Sequence, residues 1–413
     1  MWCRKRFPIT RKLLQNAGMM TWQPTFPTRR LRMVCALVAL APVLMLAASA
    51  QVTRKDLLAQ LEKLPHPDGP EQFETPAHLP CLNQGKTSVC WSYATSSFVE
   101  SELARLRQPA VRLSVMYPAY CEFLEKTRRY VQCKGDSRFD PGDLFTGVAE
   151  AIQKYGAVPA SAYDKDIIKK LPDHTRLYAE LWKLMDEVKK NGQWDEEAVL
   201  GQVKGILDRR LGSPPASFTF EGQSYTPGSF RDHFVNLPWK DYVLLTSFEY
   251  APFNTFTEFK VPDNWHHNTN YLNLPLAVFY DAFKQALRSG FTVAVSIDTT
   301  EPSYRLTGRY GFIPECDLGA GLTQDAREVQ FKNGVTTDDH AVHILGYHQF
   351  DGEDWFLAKD SWKTTWQNAN QGNLFLHSSY VKMKILAFMV HRDGVASVLK
   401  KTSRPSPLIS AKP

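Results

Sequence analysis

One cysteine constrains this chain more than any other residue of its 413. Cys90 begins an apolar, helix-compatible run, six residues after Gln84 and just behind a Gln-Gly turn. The N-terminus of a helix carries about half a positive charge, which favours a thiolate over a thiol. The Gln84 amide is close enough along the chain to donate a hydrogen bond to a developing oxyanion. A buried structural cysteine is the ordinary alternative, so the interpretation depends on whether a base and an orienting group occur elsewhere.

Both groups occur near the other end of the chain. His340 begins a strand-like run in which apolar residues follow in rough alternation over 342–347, and Asp360 ends a second such run over 355–359. A histidine at the start of one strand and an aspartate at the end of its antiparallel neighbour can lie side by side. We therefore predict Cys90 as nucleophile, His340 as general base and Asp360 as the residue that orients the base.

Several neighbouring residues support or surround this predicted triad. Trp362 is expected to cover the hydrogen bond between the base and its orienter from water, and Trp91 is expected to pack rather than to contact substrate. His343 should point to the opposite strand face from the base and be a surface or core histidine. Asp338 and Asp339 could attract the α-amino group of a substrate, although loop acidity is the commoner explanation.

These motifs resemble those of the papain-like cysteine peptidases, and most closely the bleomycin hydrolase and aminopeptidase C branch. In papain the position of Thr87 is a disulfide cysteine, whereas Lys86-Thr87-Ser88-Val89 is similar to the run before Cys-Trp in that branch. The resemblance covers roughly residues 75 to 395 in family order. Further similar segments are 113–114 with Tyr117, 155–159, 211–215, 271–276, 336–340 and 389–393.

The resemblance implies a two-lobed papain-like α+β fold with a long insertion. One mainly helical lobe would carry Cys90, and a β-rich lobe would carry His340 and Asp360. Helices early in the chain and strands late in it also favour α+β. The implied reaction is peptide-bond hydrolysis through a thioester, with Gln84 as oxyanion donor, most like an aminopeptidase. A papain-like endopeptidase and a catalytically inactive peptide- or partner-binding protein remain the alternatives.

The resemblance also sets expectations for ligands and partners. No metal or organic cofactor is expected, and the implied partner is a peptide or protein substrate. That branch forms hexamers, with the insertion at the cleft rim, so this chain could form a homo-oligomer. His266 and His267 with Asp263 could suggest a metal site, but no cysteine or glutamate completes a ligand set at a recognised spacing. We therefore expect only a pair of loop histidines there.

Three departures from the family pattern stand out. The orienting residue is usually asparagine, where this chain has Asp360, and Val89 replaces an arginine before the nucleophile. The tail after Arg392 is long, basic and rich in proline and serine, unlike the short C-terminal arm that occupies the cleft in bleomycin hydrolases. An aspartate adds a negative charge that stabilises imidazolium. This predicts that His340 titrates at a higher pH than it would beside asparagine.

The net charge of +6 comes from the first 50 residues, which contain eight basic and no acidic residues. The remaining 41 basic and 43 acidic residues give a net charge of −2, which excludes a general attraction to nucleic acid. Arg29, Arg30 and Arg32 precede an apolar run over 33–47 and the small-residue end 48–50. This pattern predicts a signal peptide over 1–50 and an exported protein, periplasmic or secreted. A single membrane anchor is the rival interpretation.

Export would favour disulfides among the cysteines that follow residue 50. If Cys90 is a free thiol, four others remain and can pair in three ways. A bond between Cys121 and Cys133 is the first pairing expected, and four unpaired buried thiols are the alternative. The other two cysteines are Cys81 and Cys316.

The pattern of helices, strands and prolines divides the chain into six segments. Helices are predicted at 56–64, 90–106, 115–130, 143–155, within 173–210 and at 276–289, and strands at 242–246, 291–297, 373–377 and 381–391. The segments are a signal peptide (1–50), an N-terminal helix and Pro-rich link (51–80), a helical lobe with the nucleophile (81–165), an insertion (166–270), a β-rich lobe with the histidine and aspartate (271–395) and a disordered tail (396–413).

Overall fold

A nine-stranded mixed sheet forms the centre of the protein, in the strand order β4-β5-β3-β11-β6-β8-β9-β10-β7. This computed structural model describes residues 52–164, 171–315, 321–363, 365–366 and 371–400. The predicted signal peptide and Cys316 lie outside the described residues. Two further short strands form a separate hairpin, β1 with β2. The strands are β1 Phe218–Phe220, β2 Gln223–Tyr225, β3 Tyr242–Thr246, β4 Thr255–Thr257, β5 Tyr271–Asn273, β6 Val293–Ile297, β7 Tyr310–Gly311, β8 His340–Phe350, β9 Glu353–Lys359, β10 Asn373–His377 and β11 Ile385–His391.

Helices pack on both faces of this sheet. They are α1 Arg54–Leu61, α2 Cys90–Arg105, α3 Met116–Gln132, α4 Phe145–Tyr155, α5 Thr175–Asn191, α6 Glu196–Leu211, α7 Pro227–Phe230, α8 Leu276–Arg288, α9 Pro302–Thr307, α10 Gln324–Lys332, α11 Ser378–Lys384 and α12 Ala396–Leu399. None of the helices in the described ranges is long and apolar enough to span a membrane.

Two apolar cores lie on opposite faces of strand β8, and its alternate side chains point into one or the other. Ala341 faces a core that contains Phe98 of α2, whereas Val342 and Ile344 face a second core that contains Phe283 of α8. Successive side chains of a strand point to opposite faces, so one strand serves both cores. The start of α2 and the start of β8 are thereby held against each other. The architecture is the predicted α+β arrangement of a helical lobe beside a β-rich lobe.

The segment predicted as an insertion contributes to both lobes. Its helices α5 and α6 pack against α3 around a third core that includes Phe123, Leu181 and Val203. Its strand β3 lies inside the central sheet, antiparallel to β11 and parallel to β5, and β4 pairs with β5 at the sheet edge. The sheet therefore takes in residues before the predicted boundary at 271.

Two local expectations from the sequence are wrong. The strand predicted at 381–391 begins only at Ile385, because His377 caps the preceding helix α11 by accepting a hydrogen bond from Ser379 N–H. The predicted disordered tail begins with a helical turn at Ala396–Leu399, and residues after 400 lie outside the described ranges.

The expected disulfide between Cys121 and Cys133 is also wrong. Cys121 lies within α3 and Cys133 caps its C-terminus, twelve residues later. At 1.5 Å of rise per residue their Cα atoms are about 18 Å apart along the helix. A disulfide needs Cα atoms less than about 7 Å apart. Cys81, Cys90, Cys121 and Cys133 are all free thiols.

Candidate active site

Helix α2 places Cys90 at its first turn while the rest of the helix is embedded in the protein. Residues 91–103 are buried, whereas Cys90 itself is half-buried. No side chain caps the start of this helix, so its first N–H groups and its positive end stay directed at the thiol. Trp91 is buried and donates a hydrogen bond of 2.9 Å to the carbonyl of Pro141. Cys90 therefore lies at the start of a helix whose following turns are fixed by burial.

Residues of the segment predicted as an insertion hold the turn before Cys90 in place. Ser88 adopts a left-handed conformation with a φ of +50°, which costs free energy unless the surroundings enforce it. The Tyr178 hydroxyl of α5 donates a hydrogen bond to the carbonyl of Thr87. Lys86 N–H donates to the Pro172 carbonyl at 2.9 Å. Helix α5 contains no residue predicted for the site, yet its Tyr178 stabilises the segment that leads to Cys90.

His340 is the first residue of β8, where pairing with Ile297 of β6 fixes its backbone. Its Nε2 lies 2.7 Å from Oδ1 of Asp360, and both side chains are buried. Burial opposes protonation of the ring. The charges of Asp360 and Cys90, with hydrogen bonds to both, outweigh burial and raise the pKa of His340 well above its usual value. The three predicted triad residues are thus brought together, with the ring between the thiol and the carboxylate.

Asp360 accepts hydrogen bonds from two further donors besides its contact with His340. The Trp362 backbone N–H donates to Oδ1 at 2.9 Å, and the Tyr304 hydroxyl donates to Oδ2 at 2.5 Å. Tyr304 is fully buried, and burial together with the Asp360 charge raises the pKa of its hydroxyl well above the usual value. The hydroxyl therefore keeps its proton and donates a hydrogen bond to the carboxylate. Both oxygens of Asp360 have donors, which fixes the orientation of the carboxylate beside His340.

Trp362 lies beside this pair as the sequence predicts. The centroids of its indole ring and the His340 ring are 5.4 Å apart, and the centroids of the Trp362 and Tyr304 rings are 6.4 Å apart. Both aromatic side chains are therefore close to the hydrogen bond between His340 and Asp360.

Gln84 is oriented by the residue that follows the aspartate. Gln84 N–H donates to the Ser361 carbonyl at 2.9 Å, and the Ser361 hydroxyl donates to Oε1 of Gln84 at 2.7 Å. The side-chain oxygen is therefore occupied, and the amide NH₂ is the group left to donate elsewhere. This is the orientation that an oxyanion donor needs. Gly85 makes the turn possible with a φ of +58°.

The other candidates named from the sequence, His343, Asp338 and Asp339, make hydrogen bonds within the protein. The His343 ring is buried against α2, where its Nδ1 lies 2.9 Å from the Ser97 hydroxyl. Burial and the nearby Lys359 charge lower the pKa of His343 well below its usual value, so the ring is neutral. Asp339 accepts hydrogen bonds from the backbone and hydroxyl of Thr299. Asp338 shares a hydrogen bond with Ser296, and its other oxygen has no partner among the described residues.

Two residues of this site were not anticipated. Ser361 directly follows Asp360, so its position beside the site was visible in the sequence, but its contact with a glutamine 277 residues away was not. Tyr304 belongs to the short helix α9, and no local pattern connects it to Asp360. Chemically, the site combines a cysteine at a positive helix end, a buried histidine with raised pKa, a fixed carboxylate and an amide donor. These are the parts of a cysteine hydrolase.

Comparison with known proteins agrees with this chemistry. The model of the papain family cysteine protease domain matches residues 321–384. Aminopeptidase C of Listeria monocytogenes is 23% identical over 371 residues, which span 79% of this chain and 83% of the relative. Aminopeptidase C of Listeria innocua is 25% identical over the same shares. Peptidase 1 of Dermatophagoides farinae is 39% identical over 57 residues, 14% of this chain and 18% of the relative.

A solved structure extends the similarity to the fold. PepW from Lactobacillus rhamnosis superposes with a TM-score of 0.59 at 18% identity, covering 86% of this chain and 95% of PepW. The fold, the site and these matches show that the chain is similar to the papain-like cysteine peptidases. Within that class, it is similar to the aminopeptidase C branch.

Proposed function

We propose that this protein hydrolyses peptide bonds through a Cys90-His340-Asp360 triad and a thioester intermediate. The observation that carries the proposal is the His340 ring, hydrogen-bonded to Asp360 at 2.7 Å on one side and to Cys90 on the other. A raised pKa of His340 favours the thiolate–imidazolium pair over the neutral pair.

The reaction follows from these positions. The Cys90 sulfur attacks the carbonyl carbon, and the Gln84 amide with the Cys90 backbone N–H stabilises the oxyanion. When the C–N bond breaks, the proton on His340 passes to the leaving amine and a thioester remains. His340 then takes a proton from water, whose oxygen attacks the thioester. Cleavage of the C–S bond releases the acid and restores the thiolate and the imidazolium.

We further propose that the substrate is cleaved from its free amino terminus. The similarity to the two aminopeptidases C over most of the chain supports this exopeptidase assignment. Asp338 does not add to this support, because its unpartnered oxygen is buried and burial raises the pKa of its carboxyl group well above the usual value. An endopeptidase would need no recognition of a charged amine.

A pair of matched substrates tests the assignment. An aminoacyl fluorogenic amide with a free amine and its N-acetylated counterpart differ only in the positive charge and the cap. We expect kcat/KM to be at least tenfold higher for the free amine, and activity on both to vanish in Cys90→Ala. Equal or preferred cleavage of the N-acetylated substrate would instead indicate an endopeptidase. No cleavage of either, with normal folding, would indicate an inactive binding protein.

Export is a separate proposal that depends only on the N-terminal sequence. The basic and apolar runs followed by 48–50 support removal of the first 50 residues during export. Mass spectrometry of the protein from its native host would show an N-terminus near residue 51 if this is correct, and an intact N-terminus if it is not.

A further inference from the structure

Three side chains that are far apart in the sequence meet away from the catalytic triad. Glu122 lies on α3, Asp143 lies just before α4, and His266 lies in the loop before β5. The three ligand-capable atoms are within 4.8 Å of one another. His266 Nε2 lies 3.8 Å from both Glu122 Oε1 and Asp143 Oδ2.

This cluster differs from the one considered from the sequence. His267, the neighbour of His266, turns away and pairs with Glu258 at 2.6 Å, leaving its side chain 62% exposed. The ligands that join His266 come from residues more than 120 positions earlier. Spacing along the chain could not reveal them.

The cluster contains buried polar atoms that the protein does not satisfy. Glu122 is only 5% exposed. Within the described ranges, neither Glu122 Oε1 nor His266 Nε2 has a hydrogen-bond partner, although both atoms are inaccessible to solvent. A buried carboxylate oxygen without a donor is costly. The two unsatisfied atoms face each other, and both face Asp143.

One buried lysine lies beside these acids. The Lys126 ammonium lies 3.7 Å from Glu122 Oε1, beyond hydrogen-bond distance, and donates instead to the carbonyls of Asp140 and Gly142. Three carboxylates lie around His266, since Glu150 also approaches its ring. One further cation would offset this excess of negative charge.

The surrounding groups fix the proposed ligands. Glu150 Oε2 lies 3.5 Å from His266 Nδ1, on the ring nitrogen that does not face the cluster. A carboxylate at that position keeps the proton on Nδ1 and leaves the Nε2 lone pair free for a metal. Asp143 is held by hydrogen bonds from the Leu144 backbone at 2.6 Å and from the Trp265 indole at 3.2 Å.

We propose that Glu122, Asp143 and His266 form a structural binding site for a divalent transition metal, with Zn²⁺ the best fit. Zinc binds histidine nitrogen and carboxylate oxygen at about 2.0–2.2 Å, which in a tetrahedron separates the ligand atoms by about 3.4 Å. The two observed distances of 3.8 Å from His266 Nε2 would shorten to this value if the side chains moved by a few tenths of an ångström. The mixed nitrogen and oxygen set favours Zn²⁺ over Mg²⁺ or Ca²⁺, which take oxygen ligands. The metal would tie the loop containing His266 to α3 and α4.

The test uses the full chain carrying Cys90→Ala, because the catalytic thiol and imidazole could themselves bind zinc. Equilibrium dialysis against Zn²⁺ followed by elemental analysis should show one more bound equivalent in Cys90→Ala than in Cys90→Ala with His266→Ala. The matched control is Cys90→Ala with His267→Ala, which should keep the full stoichiometry. Zn²⁺ should also raise the melting temperature of the first and third proteins but not of the second.

A second variant tests the same site with a smaller risk of misfolding. Glu122→Gln keeps the side-chain volume and should weaken zinc binding at least tenfold while circular dichroism stays unchanged. The proposal is overturned if the zinc stoichiometry and the thermal shift are the same with His266 and with alanine at that position. It is also overturned if Cys90→Ala binds no zinc. None of these readouts depends on peptidase activity.

Discussion

The Tyr304 hydroxyl donates a hydrogen bond of 2.5 Å to the oxygen of Asp360 that His340 does not contact. An asparagine at position 360 would place either its NH₂ group or its oxygen there. If the NH₂ group faced Tyr304, two donors would meet unless the hydroxyl rotated to accept. The buried tyrosine is therefore matched to an aspartate, which explains how the less usual orienting residue is accommodated in this site.

Replacing Asp360 by asparagine should move the alkaline limb of the pH–rate profile to lower pH. Asp360 contributes to the raised pKa of His340, so removing its charge lowers that pKa and the imidazolium is lost earlier as pH rises. A net contribution of about 1.4 kcal/mol corresponds to a shift of about one pH unit. The measurement is kcat/KM from pH 5 to 10. An unmoved limb, or one shifted upward, would contradict the assignment of Asp360.

Tyr304→Phe should reduce the free energy of unfolding by about 1–3 kcal/mol, because it leaves a buried carboxylate oxygen without its donor. When position 360 is already asparagine, Tyr304→Phe should reduce the free energy of unfolding much less. The double-mutant cycle, measured by urea unfolding, should therefore give a coupling energy above about 0.5 kcal/mol. Additive effects would show that the tyrosine stabilises the fold without acting on Asp360.

Gln84→Ala should lower kcat by about 10²–10³-fold with a small change in KM, as expected for loss of an oxyanion donor. Ser361→Ala removes only the hydrogen bond that orients the amide, worth about 0.5–1.5 kcal/mol. We therefore expect at most about a tenfold loss of kcat, and recovery in Ser361→Thr, which keeps the hydroxyl. If Ser361→Ala were as damaging as Gln84→Ala, orientation alone would not explain the role of the serine.

Gly85→Ala should damage both stability and activity. A Cβ atom on Gly85 would lie 2.3 Å from the Pro172 carbonyl oxygen, and its φ of +58° is unfavourable for alanine. Gly334 is the matched control, because it has a φ of +70° but open space around its Cα. Gly334→Ala should reduce the free energy of unfolding by only about 1–2 kcal/mol, the cost of a left-handed backbone conformation for alanine. Urea unfolding of the two variants, with kcat for each, checks the difference, and equal losses would contradict the steric explanation.

Iodoacetamide at pH 6 should label Cys90 faster than the thiols of Cys81 and Cys121. Burial raises the pKa of Cys81 to about 11 and raises that of Cys121 further still, so these two are protonated and slow to react. Peptide mapping after short exposure should find the label at Cys90, and the Cys90→Ala protein should lose that signal. Slower labelling at Cys90 than at Cys81 would indicate that no reactive thiolate forms.

Much of the site was predictable because its signals are local. Cys90 heads an apolar helical run, and His340 and Asp360 lie at ends of strand-like runs, so each could be recognised within about ten residues. The antiparallel pairing of β8 with β9 then brings the last two together. The α+β class followed from the order of helices and strands along the chain.

The missed features depend on contacts between distant segments. Tyr304 reaches Asp360 across 56 residues, and Tyr178 reaches Thr87 across 91. No periodicity marks such pairs, since each partner looks like an ordinary aromatic or polar residue in its own segment. The disulfide failed for the opposite reason. Sequence proximity suggested a short loop where the chain forms a continuous helix, α3.

The position of β11 has a consequence for biosynthesis. This strand is the last of the described sheet, yet it lies between β3 and β6 and joins strands made much earlier. A nascent chain halted before Ile385 would hold two sheet fragments with unpaired edges, which are prone to aggregation. The two fragments therefore cannot unite before β11 has been synthesised, and products terminated before this strand would be ready targets for cellular quality control.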